Sequence, residues 1–182
     1  MKSISDLLSG NDRRSIGKSD DVVALVVKNE KLFDELFNCL YSNNEVIRMR
    51  AADAIQKIVE LKPDIIKKYK HEILNDIAKI DQQEIRWHVA QLIPHLGLIK
   101  ADVPIAFKFL NGYLNDESKI VKTFSMQALA DLTDIDLNLN KKVITIIEKQ
   151  MKQGSPAVLS RGRKLLAKLK GSKAKSKRYF NG

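Results

Sequence analysis

Apolar side chains return along this chain at i, i+3, i+4 and i+7, the spacing of an amphipathic helix. The stretch Leu32, Phe33, Leu36, Phe37 and Leu40 is one example. Short polar breaks divide the stretches, such as SNN at 42–44 and NDES at 115–118. No segment alternates as a strand would, and only 8 Gly and 4 Pro occur, too few for a turn-rich β protein. The pattern predicts helices from end to end.

The helices repeat. VIRMRAADAIQKI (46–58), EIRWHVAQLIPHL (84–96), IVKTFSMQALADL (120–132) and AVLSRGRKLLAKL (157–169) align without gaps. Their first column holds Ile47, Ile85, Val121 and Val158, which recur every 36 to 38 residues. Later columns hold Ile55, Ile93, Leu129 and Leu166, then Ile58, Leu96, Leu132 and Leu169. A column of mostly small residues lies between them: Ala51, Val89, Ser125 and Gly162. A second amphipathic stretch precedes each aligned one, at 31–41, 64–80, 105–114 and 141–151. Each unit thus reads as helix A, turn, helix B. Residues 13–27 fit as a degenerate first B helix. A pair of amphipathic helices cannot bury its apolar faces alone, but stacked pairs can.

The pattern resembles HEAT repeats over most of the chain. The residues that carry the likeness are the polar turn, the Ile/Val–Arg/Lys opening of helix B and the small, apolar run after it. The period is slightly shorter than the ~40–47 residues usual for that class. DRRSIGKSDDVV, IRMRAADAI and EIRWHVAQLIPHL are also similar to small prokaryotic HEAT-repeat proteins, a likeness that implies fold and no activity. The expected architecture is an all-α, right-handed α-α superhelix of about four to five HEAT-like hairpins. It forms a single domain over 1–170, followed by a basic tail at 171–182 expected to be unstructured. The resemblance also implies that Arg48, Arg86 and Lys122, which follow the first apolar column, form an inter-repeat ladder.

Helical geometry then assigns faces. At 100° per residue, Ile85, Val89, Leu92, Ile93 and Leu96 share one side, and Trp87 and Pro94 lie opposite. His88, Gln91 and His95 lie between. Pro94 is expected to kink helix B without breaking it. In a HEAT-like array the B helices line a concave groove. The residues predicted to line it are Arg50, Asp53, Lys57, Trp87, His88, Gln91, His95, Phe124, Gln127, Arg161 and Lys164. Aromatic and Arg side chains ringed by polar groups are the usual content of binding hot spots. Packing of Trp87 and Phe124 between repeats is the competing reading.

Composition narrows the chemistry. The net charge is +10, but nine of the 32 basic residues fall in 161–182, where no Asp or Glu occurs. The remaining 23 face 22 acidic residues, so the body is nearly neutral. Such a C-terminus implies weak, salt-sensitive contact with nucleic acid. The single Cys39 excludes an internal disulfide. His88 and His95 are two helical turns apart, about 10.5 Å, so no metal site is expected. GKS at 17–19 lacks the preceding glycine and strand of a phosphate-binding loop. No catalytic constellation or cofactor motif is present, and no apolar run reaches the ~20 residues of a membrane span. These features predict a cytoplasmic, non-catalytic scaffold, without a cofactor, that holds a protein or peptide in its groove. The alternative is a nucleic-acid-binding protein related in fold to HEAT-like alkylpurine DNA glycosylases, with Arg50, Arg161 and Lys164 on phosphates.

Overall fold

The computed structural model describes residues 2–10, 12 and 15–179, with side chains as far as Gly171. The described chain is all-α and contains no strand. It divides into two compact units, Met1–Gly97 and Leu98–Gly182. The sequence pattern alone treats 1–170 as one domain. The division falls just after Pro94 and Gly97, where helical hydrogen bonding is interrupted.

The first unit opens with a short helix, α1 (Ile4–Leu8), and α2 (Ser19–Lys28). An A segment follows: α3 (Phe33–Asn38), flanked by 3-10 turns at Glu30–Leu32 and Cys39–Tyr41. Then comes the long B helix α4 (Glu45–Leu61). The second A segment is a 3-10 stretch, Pro63–Tyr69, running into α5 (Lys70–Asn75). Its B helix is α6 (Gln83–Leu92). α4 packs between α2 and α6. Phe37 stacks on Tyr69 with ring centroids 3.9 Å apart, and Phe33 lies at 5.5 Å from the same ring. These rings tie the two A segments together.

The second unit has two full hairpins. They are α7 (Val103–Tyr113) with α8 (Lys119–Ile135), and α9 (Asn140–Met151) with α10 (Pro156–Tyr179). α8 packs on α7, α9 and α10. The backbone of α10 continues helically to Tyr179, through part of the stretch read from sequence as an unstructured tail. The rest of that stretch lies outside the described residues. No described helix is long and apolar enough to cross a membrane.

The aligned columns are the core. Ile47, Ile85, Val121 and Val158 are buried, as are Ile58, Leu96, Leu132 and Leu169. The last helix slips by one place: Leu165 is buried, and Leu166 is only partly covered. Gly162 sits where a Cβ would lie 2.5 Å from the Met151 sulfur, so a larger residue there requires the Met151 side chain to move.

The helix starts are specified locally. Asn44 Oδ1 accepts from the amides of Val46 and Ile47 (2.9 and 3.4 Å), and Ser118 Oγ accepts from Val121 (3.4 Å). Asn44→Ala is expected to lower stability by about 1 kcal/mol, measured as a shift of the urea midpoint at unchanged slope.

Pro94 does more than kink its helix. It cannot donate to the carbonyl of Ala90, and α6 ends at Leu92. A 3-10 turn covers Ile93–His95, closed by the Leu96 amide on the Ile93 carbonyl (3.3 Å). Gly97, at φ 62°, then turns the chain away. α6 is therefore ten residues long, against seventeen for α4 and α8.

Candidate functional site

The face of α4 that looks away from its hairpin core meets α2 and α6. Two of the residues predicted to line a groove are consumed there. Arg50 is buried, with 4% of its surface exposed. Its guanidinium donates to the carbonyls of Leu8 (3.1 Å), Ser9 (2.6 Å), Asp12 (3.1 Å) and Ser15 (3.0 Å). It gathers the loop between α1 and α2, and it does not face a ligand in solution. Gly17, at φ 56°, passes so close that a Cβ would lie 2.6 Å from the guanidinium carbon. The GKS stretch is thus a turn fitted around Arg50, and Ser19 begins α2.

Lys57 is the second. Its ammonium lies 2.7 Å from Asp20 and 2.8 Å from Asp53. Asp53 also accepts from the buried Ser19 hydroxyl at 2.6 Å. Burial opposes the charge on Lys57, but the two carboxylates outweigh it and hold the ammonium above its usual range. The second unit repeats this arrangement. Arg161 donates to Gln127 (2.8 Å), which in turn donates to Asp131 (3.0 Å). Lys168 bridges Asp131 (3.3 Å) and Asp134 (2.9 Å), the latter being the main reason its charge is held.

The predicted ladder column behaves unevenly. Arg48 donates to Gln82 across the repeat boundary (2.8 Å) and to the Ser42 carbonyl (2.7 Å). Gln82 in turn donates to the Glu45 carbonyl (3.0 Å). Arg86 instead pairs with Asp81, in the turn before its own helix. Lys122 lines an open cavity.

What remains of the candidate surface in the first unit centres on Trp87. The indole is partly exposed, and its ring stands 5.3 Å from that of His88. Both line a cavity of about 180 Å³ with Ile16, Met49 and Asp53. Arg50 and Ser15 also line it. His88, predicted to face a groove, is 7% exposed. Burial pushes its imidazole down to about 4, although Asp53 and Gln91 act in the opposite direction. It is therefore neutral near pH 7, and its Nδ1 has no hydrogen-bond partner. Gln91 and His95 are partly exposed on the same helical segment. In the second unit Phe124 is partly exposed and Lys164 exposed. The proposed aromatic pair, Trp87 and Phe124, thus falls in different compact units.

Sequence reasoning missed the acidic half of these contacts: Asp20, Asp134 and the Ser19 hydroxyl. A signal existed. Ser19 and Asp53 are separated by 34 residues, as are Gln127 and Arg161. Asp20 and Lys57 are separated by 37, as are Asp131 and Lys168. Complementary polar residues one repeat apart mark neighbouring B helices.

Little nucleophilic or metal chemistry is available. Burial pushes the Cys39 thiol up to about 11, so it stays protonated. Among the described residues, no group of three or more His, Cys, Asp or Glu could hold a metal ion.

No protein-family model matches the chain, and no curated protein matches it. Solved structures do. The crystal structure of an engineered protein superposes with a TM-score of 0.60 at 14% identity, over 92% of this chain and 72% of that one. The crystal structure of Cex1p superposes with a TM-score of 0.61 at 15% identity, over 96% of this chain and 36% of Cex1p. The chain therefore spans about a third of the length of Cex1p. At these identities the likeness shows the all-helical fold alone.

Proposed function

We propose that this chain is a HEAT-like helical-repeat protein that acts as a non-catalytic binding module for a protein or peptide. The repeat reading is supported by the buried aligned columns and by polar contacts that recur one period apart in both units. The binding reading rests on one observation: a partly exposed tryptophan beside a small cavity lined by Ile16 and Met49. A cavity of about 180 Å³ has room for one aliphatic or aromatic side chain of a partner. The charges around it are already engaged, which favours apolar insertion over ionic recognition.

Trp87 is the only tryptophan, so its emission reports this site without a label. Peptides selected from a displayed library against the protein should carry an apolar anchor and shift that emission. Trp87→Ala should weaken them by roughly 30-fold or more, the range of a hot-spot residue. Peptides that bind Trp87→Ala as tightly as the wild type would sink this reading. Nucleic-acid binding through Arg50, Arg161 and Lys164 has less support. Arg50 is buried and Arg161 is bonded to Gln127, which leaves Lys164 alone exposed.

A further inference from the structure

The second unit carries a different site, at the turn where α8 and α10 begin. The repeat register shows how it arises. In the first unit, Arg48 of α4 reaches Gln82, 34 residues on, just before α6. Lys122 holds the place of Arg48 in α8, and the place of Gln82, just before the next B helix, is held by Ser155. Serine is shorter than glutamine and reaches less far across the boundary. Among the described residues no bond joins Lys122 to Ser155, and both line a cavity of about 280 Å³.

Three lysines line that cavity: Lys119, Lys122 and Lys149. Several other lysines have carboxylate partners, as Lys57, Lys62, Lys68, Lys168 and Lys170 do. Among the described residues, none of the three has a side-chain ion pair or hydrogen bond. Glu117 stands at the rim as the one lining carboxylate. Ser155 also lines the cavity; its Oγ accepts from the Val158 amide (3.4 Å), which leaves its proton to donate. The first turns of α8 and α10 begin at this rim, which adds the positive ends of two long helices.

We infer that this cavity binds a phosphate monoester. Its two negative charges match three unpaired lysines offset by one glutamate, and its several acceptor oxygens can take ammonium and hydroxyl donors together. The source of the group is either free in solution or a phosphorylated side chain of a partner. The site is separate from Trp87, and nothing in its logic depends on that surface.

The test uses the full-length chain and a short peptide of neutral composition in phosphoserine and serine forms, with binding followed by calorimetry. The phosphorylated form should bind at least about tenfold more tightly. The triple variant Lys119→Gln/Lys122→Gln/Lys149→Gln should abolish that preference, and Lys122→Gln alone should reduce it severalfold. Glu117→Gln should strengthen binding. Lys164→Gln, an exposed lysine of the same unit, should leave it unchanged. Inorganic phosphate that competes as well as the peptide identifies a free-phosphate site; competition only by the peptide identifies a phosphorylated partner. Equal affinity for the two peptide forms overturns the proposal. So does an equal loss in Lys164→Gln, which would indicate diffuse charge. Tighter binding of duplex DNA than of the phosphopeptide, lost in the same triple variant, overturns the assignment to a single ester.

Discussion

Arg50→Met should destabilise the protein by about 3 to 5 kcal/mol. The methionine keeps most of the apolar stem, so the loss isolates the guanidinium. Four carbonyls, of Leu8, Ser9, Asp12 and Ser15, then lose their donor. A buried acceptor left without a partner costs far more than an average hydrogen bond contributes. The planar fork of Arg reaches acceptors in several directions; an ammonium offers three donors from one point. Arg50→Lys should therefore recover only part of the loss. Urea unfolding measures the total. Limited proteolysis between α1 and α2 gives the local signature, since that loop has lost its anchor. A loss below about 1 kcal/mol in Arg50→Met would show that the loop holds itself.

The second large effect is a pH dependence centred on His88. Its imidazole titrates near 4 in the folded chain and near 6.5 when unfolded. Between these values the unfolded chain carries the extra proton. Acid therefore favours unfolding: stability is full above about pH 6.5 and declines as pH falls towards 4. Below 4 both states are protonated and this contribution levels off. The whole decline amounts to about 3 kcal/mol. Asp53 and Lys57 of α4 are the charged groups that act on the ring, with opposite sign. Exposed carboxylates such as Asp6 and Asp34, held below their usual range by hydrogen bonds, add an acid dependence of their own at lower pH. His88→Gln keeps that second slope and should remove the first. The comparison of urea midpoints at pH 4.5 and 7 in both proteins decides it. An identical pH profile in His88→Gln would show that another group carries the dependence.

The sequence made the helices and their repeat legible because burial imposes the 3.6-residue period directly. The columns from Ile47 to Leu169 are where the structure puts its core. Helix ends were less readable. Proline inside a helical pattern reads as a bend, yet with Gly97 close behind Pro94 the chain leaves the helix. The A segments from Pro63 and Cys39 tighten into 3-10 turns that no period distinguishes. The candidate site was harder still. A helical wheel identifies the side away from the hairpin core, but in a stacked array that side meets the next B helix. For this reason the wheel alone places Arg50, His88, Lys57 and Arg161 towards a groove. Arg50 was beyond reach from sequence, because its partners are backbone carbonyls 35 to 42 residues away, and carbonyls leave no mark in a sequence.

The polar contacts between B helices have a fixed span of 34 or 37 residues, the same in both units. α4 is therefore tied to α2, and α10 to α8, by bonds that count repeats and ignore absolute position. Duplication or deletion of one whole repeat inside a unit preserves every such span. A deletion of even one residue within α4 or α10, ahead of Lys57 or Lys168, shifts that lysine by 100° around its helix and separates it from its carboxylates. Growth of such a chain is thus confined to whole-repeat steps, and length variation within a repeat to the turns between A and B.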